Sequence, residues 1–171
     1  TSRVNAPTAD GTPKRHAKGA MTPSYGKHDI ETLARVLPGF DYPLLPGTTS
    51  DFGGGYDFYI GDMRAFDQWH DKGPKSALNG RIQFNAGGGA MAEFRAAIHA
   101  LVEHPNTPPF MAKQLIQKTV TSSPTPEYVA RVAAVFRNNG SGIRGDLAAV
   151  TRAILLDPEA PAGTPVPRRP E

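Results

Sequence analysis

The chain has 171 residues and no cysteine. That excludes disulfides, thiolate metal ligands and a cysteine nucleophile together. No apolar run approaches the roughly 20 residues that a membrane-spanning helix requires. Charge of one sign is also scarce: 19 Lys and Arg stand against 16 Asp and Glu, for a formal net charge of +3. Without a basic face interleaved with aromatics, the electrostatic footprint of a nucleic-acid binder is missing. The phosphate-cradling spacings GxxxxGK[ST] and GxGxxG are absent, although residues 51–58 (DFGGGYDF) are rich in glycine. So is the GxSxG elbow of serine hydrolases. Thr1 opens a polar stretch with no apolar core of the kind a secretory signal carries. The lack of an initiator Met is what a fragment or a processed product would show.

What is abundant is glycine and proline, 18 and 17 residues, and their placement divides the chain. Residues 1–24 are polar and rich in Pro, Gly, Lys and Thr, as in a linker or a wrapping segment. Residues 25–160 form the expected helical domain, with an irregular insertion at 40–89. Residues 161–171 are a Pro-rich tail.

From Ala90 to Glu159 the apolar residues fall at helical spacing between short breakers. Met91, Phe94, Ile98, Leu101 and Val102 mark one side of a first helix, with Glu93, Arg95 and Glu103 on the exposed side. His104-Pro105 ends it. A second helix begins near Pro108 or Pro109 and turns Met111, Leu115, Ile116 and Val120 inward. Thr125 and Pro126 are a cap and a first-turn residue for a third, whose stripe is Val129, Val132, Ala133 and Phe136. Asn138-Asn139-Gly140 stops it. The last helix, about Gly145 to Leu156, turns Leu147, Val150, Ile154 and Leu155 inward and has Asp146 near its amino end. Helices of about 12 to 15 residues are marginal alone in water, so these stripes must be buried.

Upstream, residues 25–37 read as one short helix with Ile30, Leu33, Ala34 and Leu37 apolar, introduced by His28-Asp29 and ended by Pro38-Gly39. Arg81-Ile82-Gln83-Phe84 reads as a brief strand. The fold class is therefore mainly α: about five helices in a small bundle, an irregular Gly- and aromatic-rich insertion, and at most a minor β-hairpin.

The candidate chemistry lies in the insertion. His70 and Asp71 are able to share a metal with a third ligand, or Asp71 to orient His70 as a general base. Lys75 is placed to stabilise developing negative charge. Asp51, Asp57, Asp62, Asp67 and Asp71 recur among Tyr56, Tyr59, Phe66 and Trp69. A glycosidase needs two carboxylates about 5–10 Å apart, and aromatic side chains offer sugar-binding platforms. The catalytic candidates are thus His70, Asp71, Lys75 and Asp67, the substrate-binding ones Trp69, Tyr56, Tyr59 and Phe66, and the metal ligands His70 and Asp71. The plainer alternative stands beside each of these. Adjacent residues in extended chain face opposite ways, and Asp serves Gly-rich turns by accepting from nearby amides. His99 and His104 are too far out of step to stack as a metal pair, and His16 lies in the polar amino-terminal segment.

Four runs carry a family resemblance: YGKHDIETLARVLPGFDY, WHDKGPKSALNG, HPNTPPFMAKQLIQKTVTSSPTPEYVARVAAVF and RGDLAAVTRAILLDPEA. Over about residues 10–160 the chain resembles the carboxy-terminal part of the bacterial domain-of-unknown-function family 1800. Pro38-Gly39-Phe40 and Leu78-Asn79-Gly80 depart from its usual pattern. The resemblance implies a mainly α-helical segment of a predicted exported protein, hence a periplasmic or secreted setting. It also implies a neighbouring exported partner similar to sulfatases and phosphatases. It carries no activity.

Two expectations follow. The first is a non-catalytic helical module presenting a binding or assembly surface to a protein or a polysaccharide. The alternative is a hydrolase of a glycan or polymer ester, glycosidic or metal-assisted, with its site in residues 51–75. No cofactor is required by either, a divalent metal is compatible with the second, and no nucleic acid or membrane span is expected.

Overall fold

The computed structural model describes Thr8, Arg15 and residues 23–43 and 60–160. Among the described residues the order is α1 (Lys27–Ala34), β1 (Phe40–Asp41), β2 (Arg64–Ala65), a 3-10 turn (Asp67–Trp69), β3 (Lys75–Ala77) and β4 (Ile82–Phe84). Then come α2 (Ala90–Glu103), α3 (Thr107–Thr119), α4 (Pro126–Arg137) and α5 (Leu147–Leu155). β1 pairs antiparallel with β2, and β3 with β4. The fold is mainly α, as the periodicity predicts, and carries two small strand pairs, one of them including the brief strand expected over 81–84. The chain divides into two compact units, with the boundary between Leu101 and Val102 in the last turn of α2.

The unit after that boundary follows the apolar pattern closely. Thr125 accepts a hydrogen bond from the Tyr128 amide and Pro126 opens α4. Val129, Val132, Ala133 and Phe136 are all buried, together with Ala112 and Ile116 of α3 and Val150 and Ile154 of α5. Asp146 caps α5 by accepting from the Ala149 amide. The stripe of α5 is narrower than expected, since Leu147 and Leu155 are exposed. Tyr128 is fully buried, and its hydroxyl donates to the Ile154 carbonyl at 2.6 Å. This ties the start of α4 to the end of α5. Arg131 donates to both oxygens of Asp157 and to Glu159. Those bonds hold the Asp157 carboxyl below the usual range.

The unit before the boundary departs from the expected stripes in two helices. In α1, Ile30, Ala34 and Leu37 are exposed, while Thr32 and Val36 are buried. The reason is polar. A two-stranded pair leaves the outer edge of β3 without a ladder partner, and α1 supplies one. His28 Nε2 and the Thr32 hydroxyl both bond the Ser76 carbonyl. Asp29 accepts from the Gly26 amide, boxing the helix start, and from the Leu78 amide, each at 2.7 Å. These two amides hold the Asp29 carboxyl below its ordinary value. The Leu78 bond also secures an uncommon conformation, because Leu78 and Asn79 have φ of 52° and 55°.

In α2 the expectation that Glu93 faces water is wrong. Glu93 is buried with Ala90 and Ala97, whereas Ile98 and Val102 are exposed. The buried stripe is turned by about one residue, or roughly 100°. Small alanines let the helix approach closely, and Phe94 packs on Phe40 with ring centroids 5.2 Å apart. The core here is Val36, Ala77, Leu78, Ile82 and Ala97, flanked by Leu33, Phe84, Phe94 and Leu101.

Phe136→Ala is expected to lower the unfolding free energy by about 3–5 kcal/mol. Leu155→Ala, at an exposed position, is expected to change it by no more than about 0.5 kcal/mol. Urea unfolding of both variants checks the observed burial against the wider stripe.

Candidate functional site

The segment from Phe66 to Lys75 joins β2 to β3, and its side chains are held by groups far away in sequence. His70 has extended backbone at φ −82° and ψ 143°, so it and Asp71 face different surroundings, as alternation in extended chain requires. His70 turns inward. Its Nδ1 lies 2.9 Å from the Pro38 carbonyl and its Nε2 lies 3.0 Å from Glu93 Oε2. Gly39, with φ of 95°, makes the Pro38 contact possible: a Cβ there would stand 2.9 Å from the Phe66 carbonyl oxygen and 3.2 Å from the His70 backbone.

Lys75 enters the same buried spot from β3. Its ammonium donates to Glu93 Oε2 at 2.8 Å, to the Gly73 carbonyl at 3.2 Å and to the Asp71 carbonyl. The side chains of His70 and Lys75 are wholly buried and that of Glu93 is 3% exposed. Three ionisable groups therefore meet away from water, where an unpaired charge is very costly and a paired one is tolerated.

The hydrogen bonds also dictate where protons lie. A carbonyl only accepts, so Nδ1 of His70 carries a hydrogen. Nε2 then faces a carboxylate oxygen, and the contact requires a second proton between the two atoms. With the Lys75 ammonium on the same oxygen, the cluster holds one proton more than a neutral imidazole beside an ion pair would.

Asp71 faces the other way. Arg35, just past α1, donates Nε–H to its Oδ2 at 2.6 Å and Nη2–H to its Oδ1 at 3.2 Å. The Gly73 amide adds a third bond at 2.8 Å. The guanidinium first, and the amide second, hold the Asp71 carboxyl far below the usual carboxylate range. Arg35 also donates to the Pro74 carbonyl. Asp67 accepts from the Ala90 amide at 2.8 Å and so caps α2 from outside the helix. Phe66 is partly buried beneath the Arg64 guanidinium, 5.4 Å from its ring centroid. Trp69 is 55% exposed. Tyr56, Tyr59, Asp51 and Asp57 lie outside the described residues, as does His16.

The structure thus brings His70 and Lys75 together, but around Glu93, and it directs Asp71 to Arg35. Among the described residues no group of three or more His, Asp or Glu side chains is spaced to hold a metal ion. Glu93 and Arg35 are the members that the sequence reading missed. Arg35 left no signal. Glu93 left a faint one, since it lies three residues after Ala90 and four before Ala97 on a stripe of small residues.

Fold and site define a mainly α-helical protein whose short-stranded unit is organised by a buried Lys-Glu-His cluster. The family described as "Protein of unknown function (DUF1800)" matches residues 15–170, and the chain belongs to it. No curated protein matches the chain, and no solved structure does. Among the described residues no helix is long and apolar enough to cross a membrane.

Glu93→Gln is expected to cost about 3–5 kcal/mol, because it strands the buried Lys75 ammonium. Nitrogen-15 spectra of the imidazole should show hydrogen on Nδ1 and a proton at Nε2 or shared across the contact. A bare Nε2 would refute the assignment of protons. For Asp71 the folded carboxyl is the stronger acid. Its contribution to stability is complete above the ordinary value of 3.8 and is lost as pH falls below it. The melting temperature of Asp71→Asn should therefore fall less steeply with acidification below about pH 4 than that of the parent chain.

Proposed function

We propose that this chain is a non-catalytic helical module of an exported bacterial protein, presenting a surface for binding or assembly. One observation carries the reading. The side chains that make residues 66–75 look catalytic are already engaged in holding the segment: His70 and Lys75 by Glu93, Asp71 by Arg35, and Asp67 by the start of α2. A general base needs a lone pair within reach of substrate. Nε2 of His70 is directed at Glu93 in a side chain with no exposed surface. Lys75 has all three ammonium hydrogens committed within the protein.

Exposed apolar residues support the binding half of the proposal. Leu147 and Leu155 of α5 and the adjoining Leu156 are at least half exposed, and apolar side chains left in water are what a docking partner would cover. A protein partner suits this end of the unit. The family resemblance points the same way, toward assembly with another exported protein.

The test is an assay of the purified chain on a panel of polysaccharides and polymer esters, with and without chelator. No turnover in either condition is the expected outcome. Turnover that disappears in a folded His70→Ala or Asp71→Ala variant would establish a hydrolase with its site in residues 51–75 instead.

A further inference from the structure

Among the described residues, Glu93 Oε1 is the one fully buried side-chain polar atom without a hydrogen-bond partner. A buried carboxylate oxygen in that state costs about 1–3 kcal/mol or more, so its position is informative. Glu93 lines an open cleft of about 480 Å³ beside the loop from β4 to α2, a volume within the range of small-molecule sites. Gly88 lines the same cleft and lies against Oε1: a Cβ there would stand 2.1 Å from that oxygen. The lack of a side chain at Gly88 therefore leaves room beside the one orphaned acceptor.

We propose that this cleft binds a neutral polyhydroxy compound of the sugar class, with one hydroxyl donating to Glu93 Oε1. The electrostatics select the donor. Oε2 of the same carboxyl already meets the Lys75 ammonium and the proton it shares with His70. A cationic ligand at Oε1 would add like charge to a cluster that already holds one proton more than an ion pair, in surroundings where repulsion is poorly screened. A hydroxyl supplies the missing hydrogen bond and no charge. Around it the cleft offers Phe84, an apolar surface for the C–H face of a ring, and the exposed amides of Gln83 and Asn85, which both donate and accept. Reaching Oε1 requires the Gly88 backbone to shift, between the anchored Gly87 amide and Gly89 carbonyl. The inference goes beyond the protein-binding reading of α5 above and rests only on its non-catalytic half.

The experiment is a titration of the nitrogen-15-labelled chain, followed by its backbone amide signals, with glucose, N-acetylglucosamine and cellobiose, and separately with methylammonium chloride. At least one sugar should give saturable shifts at the Gly87, Gly88 and Gly89 amides, while methylammonium matches a sodium chloride control. Ala96→Trp fills the cleft from an exposed wall position and should weaken sugar binding by at least about tenfold with an unchanged melting temperature. Ala92→Trp, also exposed on that wall, replaces it if Ala96→Trp does not fold. Saturation by none of the three sugars, preference for methylammonium, or affinity unaffected by the folded Trp variant would overturn the proposal. Release of glucose from cellobiose would instead overturn the non-catalytic reading and leave the cleft assignment standing.

Discussion

The carboxyl group of Glu93 holds together parts of the chain that share nothing in sequence. Through Lys75 it reaches β3 and the carbonyls of Asp71 and Gly73. Through His70 it reaches the Pro38 carbonyl after α1. Burying such charges is expensive, and a well-packed apolar substitute often does as well or better. The cluster is therefore not explained by stability alone. What it provides is direction: a carboxylate, an ammonium and an imidazole satisfy one another in very few arrangements. Segments with strands of two or three residues need that constraint, because short pairs are marginal without support.

Around this centre the same device recurs at smaller scale. The edge of β3 is met by His28, Asp29 and Thr32 of α1 rather than by another strand. Asp67 caps a helix that begins more than twenty residues later. Arg35 clamps Asp71 and the turn beyond it. Each polar side chain substitutes for a backbone partner that a larger sheet or a longer turn would have supplied. The result is a segment rich in residues that resemble a catalytic set and are engaged in architecture. Among the described residues only Glu93 Oε1 is left over, in a side chain that lines a cleft with three glycines.

How much was legible follows from the range of the interactions. Helix α4 reads almost completely from Thr125 to Phe136, because capping, proline placement and a strong apolar period all act within four residues. The breakers at His104-Pro105, Asn138-Asn139-Gly140 and Pro158 are equally local. Helix α2 was assigned correctly but its face was not. The large residues Ile98 and Val102 outweighed Ala90 and Ala97 in the pattern, and nothing local announces that a Glu will be neutralised by a Lys eighteen residues earlier. Similarly, Leu147 and Leu155 have the chemistry of core residues, and only the placement of α3 and α4 leaves them outside.

The candidate site divides along the same line. That residues 66–75 concentrate His, Asp, Lys and aromatics is plain from composition, and so is the tendency of His70 and Asp71 to face apart in extended chain. Which of them pairs with what was decided by the turn at Pro38-Gly39, the arrival of α2 and the position of Arg35. The sequence by itself determined the helices, their ends and the lack of thiol chemistry, since these depend on neighbours within a turn or on composition. Tertiary structure alone decided which charges are buried, because the cost of burying a charge depends on a partner that the fold must bring from elsewhere.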